Sequence, residues 1–148
     1  MKWIAKNLEE TQNIAKDFIS KIDLTGQEKK ALVVGLYGEL GAGKTSFTQG
    51  VAKALGVTEN VVSPTFIIMK YYTLPPSSHF ETLIHIDSYR FEHSDELLQL
   101  GWDKIISNPK NIVLIEWPER VSDIMPEHIH INFTHTPLES REIEILNN

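Results

Sequence analysis

One glycine-rich segment of the sequence matches a complete phosphate-binding pattern. The pattern G-x-x-x-x-G-K-[ST] is filled by Gly38-Glu39-Leu40-Gly41-Ala42-Gly43-Lys44-Thr45. Glycines let backbone N–H groups approach an anion closely, and a helix that begins where the loop ends directs its positive end at the same anion. Lys44 can then reach the β- and γ-phosphates of a nucleotide, and the Thr45 hydroxyl can bind Mg²⁺. The segment therefore predicts a site for a magnesium-bound nucleoside triphosphate.

Two carboxylates stand directly after apolar runs that read as strands. Asp87 follows residues 83–86, and Glu116 follows residues 112–115. Sheets of α/β proteins place ligand-binding groups at such strand ends. One carboxylate could contact Mg²⁺ directly or through water while the other orients the attacking water, and the sequence leaves this assignment open. The run before Glu116 is the more continuously apolar, which predicts that its strand is the more central.

Three other features near these groups have two interpretations each. Ser63-Pro64-Thr65 could sense the γ-phosphate, as nucleotide switches do, or could form an ordinary turn. Arg90 could act on the transition state in the same chain, although a surface ion pair is the stronger interpretation. Trp117, beside Glu116, is either a core residue or a contact at the rim of the cleft.

The surrounding elements are predicted from the spacing of apolar residues. The run 31–37 suits a strand buried on both faces, and a helix through Phe47, Val51 and Leu55 should follow the glycine-rich loop. Another amphipathic helix should begin at Asn7, with Glu10 completing a capping box, and end before Gly26.

Later segments add strands and one more helix. Phe66–Tyr72 and Thr82–Tyr89 predict an antiparallel pair, and Ser94 is a candidate cap for a helix that carries Leu97, Leu98 and Trp102. The runs His128–Phe133 and Arg141–Leu146 predict a half-exposed hairpin. His128 and His130 share a face of that hairpin and are predicted to be solvated. The whole pattern predicts an α/β three-layer sandwich with a mixed, mainly parallel central sheet and antiparallel additions.

Composition limits the possible functions. A chain of 148 residues fits one domain, and its formal net charge of -6 argues against direct binding of nucleic acid. With no cysteine it has no disulfide scaffold, thiolate zinc site or thiol nucleophile, which fits a cytoplasmic location. The apolar runs are also too short to cross a membrane.

Several of these segments together resemble one family. Their order and spacing are similar to those of the TsaE (YjeE) family over about residues 7 to 120. The segments that carry the resemblance are Leu36–Thr45 with Phe47, Ser63-Pro64-Thr65-Phe66, His85-Ile86-Asp87-Ser88-Tyr89-Arg90 and Ile115-Glu116-Trp117-Pro118-Glu119. The phosphate loop alone is shared by many families, and the other segments make the resemblance specific.

The resemblance implies a small P-loop ATPase needed to make threonylcarbamoyladenosine at position 37 of tRNA. Its cofactors would be ATP and Mg²⁺, and its partners would be homologues of TsaD and TsaB, which it would reset between turnovers. Contact with tRNA would be made mainly by those partners.

The same resemblance assigns roles to residues. Lys44 would hold phosphate, Thr45 and Glu116 would bind Mg²⁺, and Asp87 would assist the metal or the water. The nucleotide would also contact residues of the phosphate loop and its flanks, namely Glu39, Leu40, Gly41, Ala42, Gly43 and Ser46. Three further contacts would come from Thr65 as the switch threonine, from Trp117, and from Thr11 near the base. Arg141 matches a late arginine of the family.

Two other functions remain open at this stage. A small nucleotide or metabolite kinase would share the phosphate loop, but it would need an arginine-bearing lid, and the chain has only three arginines. A switch protein, whose nucleotide state controls binding, would hydrolyse ATP slowly and only incidentally.

Overall fold

The computed structural model describes residues 1–39, 41–62, 68–137 and 140–146. Within these residues seven strands and four helices follow one another, with a 3₁₀-helical segment before the last two strands. Their bounds are β1 Lys2–Ala5, α1 Leu8–Ser20, β2 Leu32–Gly38, α2 Lys44–Ala54, β3 Met69–Thr73, β4 Thr82–Asp87, α3 Asp95–Gln99, α4 Trp102–Ser107, β5 Asn111–Glu116, the 3₁₀ segment Pro118–Ile124, β6 Ile129–His135 and β7 Arg141–Leu146.

All seven strands form one mixed sheet in the order β1-β7-β6-β2-β5-β4-β3. The four central strands, β6, β2, β5 and β4, run parallel to one another. β3 pairs with β4, β7 with β6 and β1 with β7, all antiparallel. The mixed, mainly parallel sheet is thus confirmed, as are both predicted antiparallel pairs. Residues 66 and 67 of the predicted run lie outside the described residues.

The sheet separates two apolar cores. On one face α1 and α2 pack through Phe18, Phe47 and Val51 against the side chains that β2 and β5 direct to that face. On the other face α3, α4 and the 3₁₀ segment pack through Leu97, Trp102 and Val121. Because β2 and β5 contribute to both cores, they read as continuous apolar runs. These three layers confirm the predicted sandwich.

The predicted helix after Ser94 is wrong in two respects. Gly101 has a φ of 92°, and the helix therefore breaks there into α3 and α4. Ser94 makes no capping hydrogen bond to the helix backbone; its hydroxyl donates to the Asp123 carboxylate instead. A separation of 29 residues hides that contact from a local pattern.

The first helix begins as predicted but its cap differs in detail. Asn7 Oδ1 accepts from the Glu10 backbone N–H at 2.9 Å. The Glu10 carboxylate accepts from the Lys6 N–H at 2.8 Å, one residue before the position that a reciprocal capping box requires. The helix ends at Ser20, so Ile22 packs on the core from the loop that follows. Among the described residues, no helix is long and apolar enough to span a bilayer.

Candidate functional site

A cavity of about 330 Å³ opens at the carboxyl ends of the parallel strands, where the loop after β2 meets the ends of β4 and β5. It brings together the loop, both strand-end acids and the start of α1. Its lining consists of Lys6, Asn7, Leu8, Thr11, Gly41, Gly43, Lys44, Thr45, Ser46, Asp87, Glu116, Trp117 and Arg141.

The glycine-rich loop passes into α2 without a side-chain cap. Gly43 occupies the N-cap position with a φ of 102°, a conformation that an L side chain rarely adopts. α2 begins at Lys44, so Thr45 and Ser46 lie in its first turn beside the unpaired N–H groups. Those N–H groups and the helix dipole make the position suitable for phosphate.

Two predicted loop residues take other positions. Glu39 is exposed and does not line the cavity, and Ala42 is buried in the core that lies under α1 and α2. The Ala42 N–H donates to the Glu39 carbonyl at 3.2 Å, which closes a turn in the loop. Leu40 lies outside the described residues.

Lys44 is buried, with 4% of its surface exposed. Its Nζ donates to the Gly38 carbonyl at 2.5 Å and lies 3.8 Å from the centre of the Trp117 ring. Burial lowers the pKa of Lys44, and the charges of Glu116, Glu119 and Asp87 oppose that change in pKa. The ammonium group is therefore held by weak partners that a phosphate could replace with charge-assisted hydrogen bonds.

The two strand-end acids are neighbours in register. Asp87 is the last residue of β4, Glu116 is the last of β5, and the two are paired in the parallel ladder. Asp87 Oδ1 accepts from the Tyr89 N–H at 3.0 Å. Glu116 Oε2 lies 2.6 Å from His85 Nε2, and both of these side chains are buried. β5 lies between β2 and β4, so the strand of Glu116 is the more central, as predicted.

Trp117 forms one wall of the cavity in an unusual backbone conformation. Its φ and ψ are 58° and 48°, in the left-handed region that is unfavourable for a bulky residue. The ring contacts Tyr89 at 5.1 Å between centroids, and Arg120 lies over the Tyr89 ring at 5.3 Å. The strained backbone thus places the tryptophan ring between Lys44 and Tyr89.

Two residues from distant parts of the chain complete the cavity. Thr11 is buried, and its Oγ1 donates to the Asn7 carbonyl at 3.3 Å, so the α1 cap fixes its position. Arg141, from β7, donates through Nε to the Gly41 carbonyl at 3.1 Å. The β6–β7 hairpin therefore places the guanidinium group of Arg141 beside the phosphate loop.

Some candidates lie elsewhere. Thr65, with the rest of its Ser-Pro-Thr segment, falls outside the described residues. Arg90 is exposed and does not line the cavity. His128 and His130 are half-buried, not fully solvated: the His130 ring stacks on Tyr37 with centroids 3.6 Å apart, and His128 Nε2 lies 2.8 Å from the Tyr37 hydroxyl.

The donor atoms of the cavity fit magnesium and a nucleotide. Mg²⁺ prefers oxygen ligands, and beside a nucleotide it takes one or two carboxylates and completes its shell with phosphate and water. Asp87, Glu116 and Thr45 supply such oxygens in one cavity. Among the described residues, no group of three or more His, Cys, Asp or Glu could hold a metal without such help.

Sequence reasoning missed one buried partner in this site and left another residue without a role. His85 belongs to a predicted strand and to a segment that carries the resemblance, but neither gives it a role, although a histidine in an otherwise apolar run, two residues before Asp87, is a usable signal. Arg141 rested on the resemblance alone, because its contact with Gly41 spans 100 residues.

Comparison with known proteins gives a consistent result. Residues 5–143 match the sequence model of the family described as "Threonylcarbamoyl adenosine biosynthesis protein TsaE". The chain is 39% identical to a tRNA threonylcarbamoyladenosine biosynthesis protein from Bacillus subtilis, over 97% of this chain and 83% of that protein. It is 40% identical to a protein of the same name from Nostoc, over 76% of this chain and 68% of that protein.

A solved structure is also similar. The crystal structure of YdiB from Bacillus subtilis matches with a TM-score of 0.72 and 34% sequence identity, over 97% of this chain and 82% of that chain.

Proposed function

Because the chain belongs to the TsaE family, whose members take part in threonylcarbamoyladenosine biosynthesis on tRNA, we propose that it binds Mg²⁺ and ATP in the cavity around Lys44 and hydrolyses ATP slowly. The observation that carries this proposal is the convergence of Lys44, Thr45, Asp87 and Glu116 on one cavity at the carboxyl ends of the strands. We place this activity in the cytoplasm, a location with which a chain without cysteine is compatible.

In the proposed reaction a water molecule attacks the γ-phosphorus of ATP, the bond from that phosphorus to the ADP oxygen breaks, and phosphate leaves with ADP. Lys44 moves from the Gly38 carbonyl and the Trp117 ring to the β- and γ-phosphates. Thr45 and Glu116 would hold Mg²⁺, which would supply positive charge beside the phosphates. Asp87 helps to orient the metal or the water.

Arg141 would assist from the side of the loop. An arginine that stabilises the transition state is worth about 10³–10⁵ in rate, and it must reach the γ-phosphate. Arg141 contacts the loop backbone at Gly41. We therefore expect it to help hold the nucleotide, and we expect hydrolysis by the isolated chain to be slow.

The role in tRNA modification would be exercised through partners. We propose that the chain acts with homologues of TsaD and TsaB, and that each cycle of ATP binding and hydrolysis resets their complex. The net charge of -6 favours partners, not this chain, as the main contacts for the tRNA backbone.

Reconstitution tests this function. TsaD and TsaB homologues, ATP, threonylcarbamoyl donor and tRNA are combined with and without this chain, and modified tRNA is counted per TsaD. We expect one turnover without the chain and many with it, and Lys44→Ala should behave like omission. Full multiple turnover without the chain would contradict the resetting role, and radiolabel moving from ATP to a nucleoside or metabolite would identify a kinase.

A further inference from the structure

One buried polar contact of the site has no part in the roles assigned above. His85, in β4, places Nε2 2.6 Å from Glu116 Oε2 in β5. The two side chains are 0% and 5% exposed. A carboxylate that binds a metal can only accept a hydrogen bond, so in the proposed site the donor is the imidazole Nε2–H of His85. The contact joins the strands that end in the two acids.

Among the described residues, His85 has no other polar contact that explains its presence. Its Nδ1 is buried and has no hydrogen-bond partner within the described part of the chain. Burying a polar ring costs free energy relative to an apolar side chain of similar size, and apart from Asp87 at the site the other buried residues of β4, Leu83, Ile84 and Ile86, are apolar. The contact with Glu116 is therefore the property that distinguishes histidine from leucine at position 85.

The carboxylate of Glu116 contacts His85 and also faces the cavity. His85 engages Oε2, while the side chain also lines the cavity beside Thr45 and Asp87. One oxygen thus has a hydrogen-bond partner in the protein, which leaves the other as the candidate metal ligand. A hydrogen bond of this kind sets the orientation of a metal-binding group and commonly changes metal affinity or activity by about 10- to 100-fold when it is lost.

Glu116 pairs with His85 and not with Lys44. The two opposite charges share one small cavity and attract each other, yet they form no ion pair within the described part of the chain. Lys44 Nζ instead donates to the Gly38 carbonyl. A direct Glu116–Lys44 ion pair would occupy both the metal ligand and the phosphate ligand before any nucleotide arrived.

We propose that His85 is a positioning residue for Glu116: by holding one carboxylate oxygen, it keeps the other directed at the Mg²⁺ of the bound nucleotide. This inference rests on the proposed binding of Mg²⁺ and ATP. It assigns His85 to the metal side of the site and predicts a defect in Mg²⁺ use, with little effect on the nucleotide itself.

The test compares two substitutions at position 85. His85→Leu keeps an apolar side chain in the core and removes the donor, whereas the amide nitrogen of His85→Gln can donate from a position close to Nε2. ATP affinity is measured by calorimetry at increasing Mg²⁺ and with EDTA, and phosphate release is measured across the same Mg²⁺ range.

For His85→Leu we expect the Mg²⁺ midpoint to rise by about 10-fold or more and kcat to fall, with ATP affinity in EDTA and KM at saturating Mg²⁺ within about twofold of wild type. His85→Gln should restore most of the lost Mg²⁺ dependence. Leu83→Ala is the matched control, because it lies two residues earlier on the same face of β4 and is fully buried. It should lower the melting temperature without moving the Mg²⁺ midpoint.

Several results would overturn the inference. A wild-type Mg²⁺ midpoint and kcat in folded His85→Leu would do so, as would equal defects in the Leu and Gln variants. If His85→Leu does not fold, His85→Asn replaces it: its shorter amide cannot reach Glu116, so a defect in Asn but not in Gln supports the inference and equal behaviour contradicts it. Failure of the proposed function looks different, because wild type would then show no Mg²⁺-dependent ATP binding at all.

Discussion

The two ends of the sheet carry cavities of very different character. The one at the carboxyl ends of the strands has about 330 Å³ and contains three buried charged residues, Lys44, Asp87 and Glu116. The groove at the opposite end, between the start of β6 and the end of α1, has about 790 Å³. It is lined by apolar residues such as Trp3 and Phe18, and none of the charged side chains that line it is buried.

The proposed site therefore differs from the groove in its buried charge and not in having the larger volume. A buried ion costs free energy unless it is paired, and functional sites are where such groups commonly cluster, which favours this end for the proposed site. No charged side chain that lines the groove is buried, so the groove adds no free-energy cost of ion burial. Its ion pairs, such as Lys30 with Glu127 at 3.4 Å, are exposed and contribute little.

The largest expected effect is a difference in ATP affinity between substitutions of two lysines, Lys44 in the cavity and Lys30 at the groove. Lys44→Ala should weaken ATP binding by at least about 30-fold, because losing one partner of a desolvated charge pair costs about 2 kcal/mol or more. Lys30→Ala, at the groove, is the matched control and should leave the affinity within about twofold. Calorimetric titration with ATP measures both variants, and similar losses in both would break the distinction between the two ends.

Replacing Lys44 should raise the free energy of unfolding even though it weakens ATP binding. Lys44→Met removes the buried ammonium but keeps a chain of similar length, so the free energy of unfolding should rise by roughly 1 kcal/mol while ATP binding is lost. Lys30→Met should change that free energy by less than about 0.5 kcal/mol, as surface substitutions do. Denaturant unfolding decides this; a destabilised Lys44→Met would mean that its charge contributes to folding.

A smaller effect concerns the backbone of the cavity that contains Lys44. At Trp117, with its φ of 58°, an alanine retains the unfavourable left-handed conformation, whereas a glycine does not. Both substitutions lose the ring, so Trp117→Gly should be more stable to unfolding than Trp117→Ala by about 1 kcal/mol. The reverse order in a urea titration would show that position 117 is not strained.

The sequence was sufficient to predict those features that depend on residues close together in the chain. The phosphate loop and the acids after two apolar runs are local patterns, and the sheet places strand ends together. The alternation of residues also predicted the β6–β7 hairpin, because its two strands are close in sequence.

The remaining features depend on contacts between distant residues. The His85–Glu116 bond requires the register of β4 on β5, and the Arg141–Gly41 bond requires β7 to lie beyond β6. β1 was not predicted, because four residues form a strand there only by pairing with β7 at the far end of the chain. The break at Gly101 could have been predicted, since glycine commonly ends a helix.

Phosphate release from ATP by wild type and Glu116→Ala, in Mg²⁺ and in EDTA, is the measurement that tests the proposed activity most directly. The account predicts slow release by wild type that requires Mg²⁺. It also predicts loss of that release in Glu116→Ala, while the variant stays folded and its ATP affinity in EDTA remains within about threefold of wild type, because Lys44 and the loop still hold the phosphates. Hydrolysis by Glu116→Ala at the wild-type rate, or hydrolysis by wild type that continues in EDTA, would contradict it.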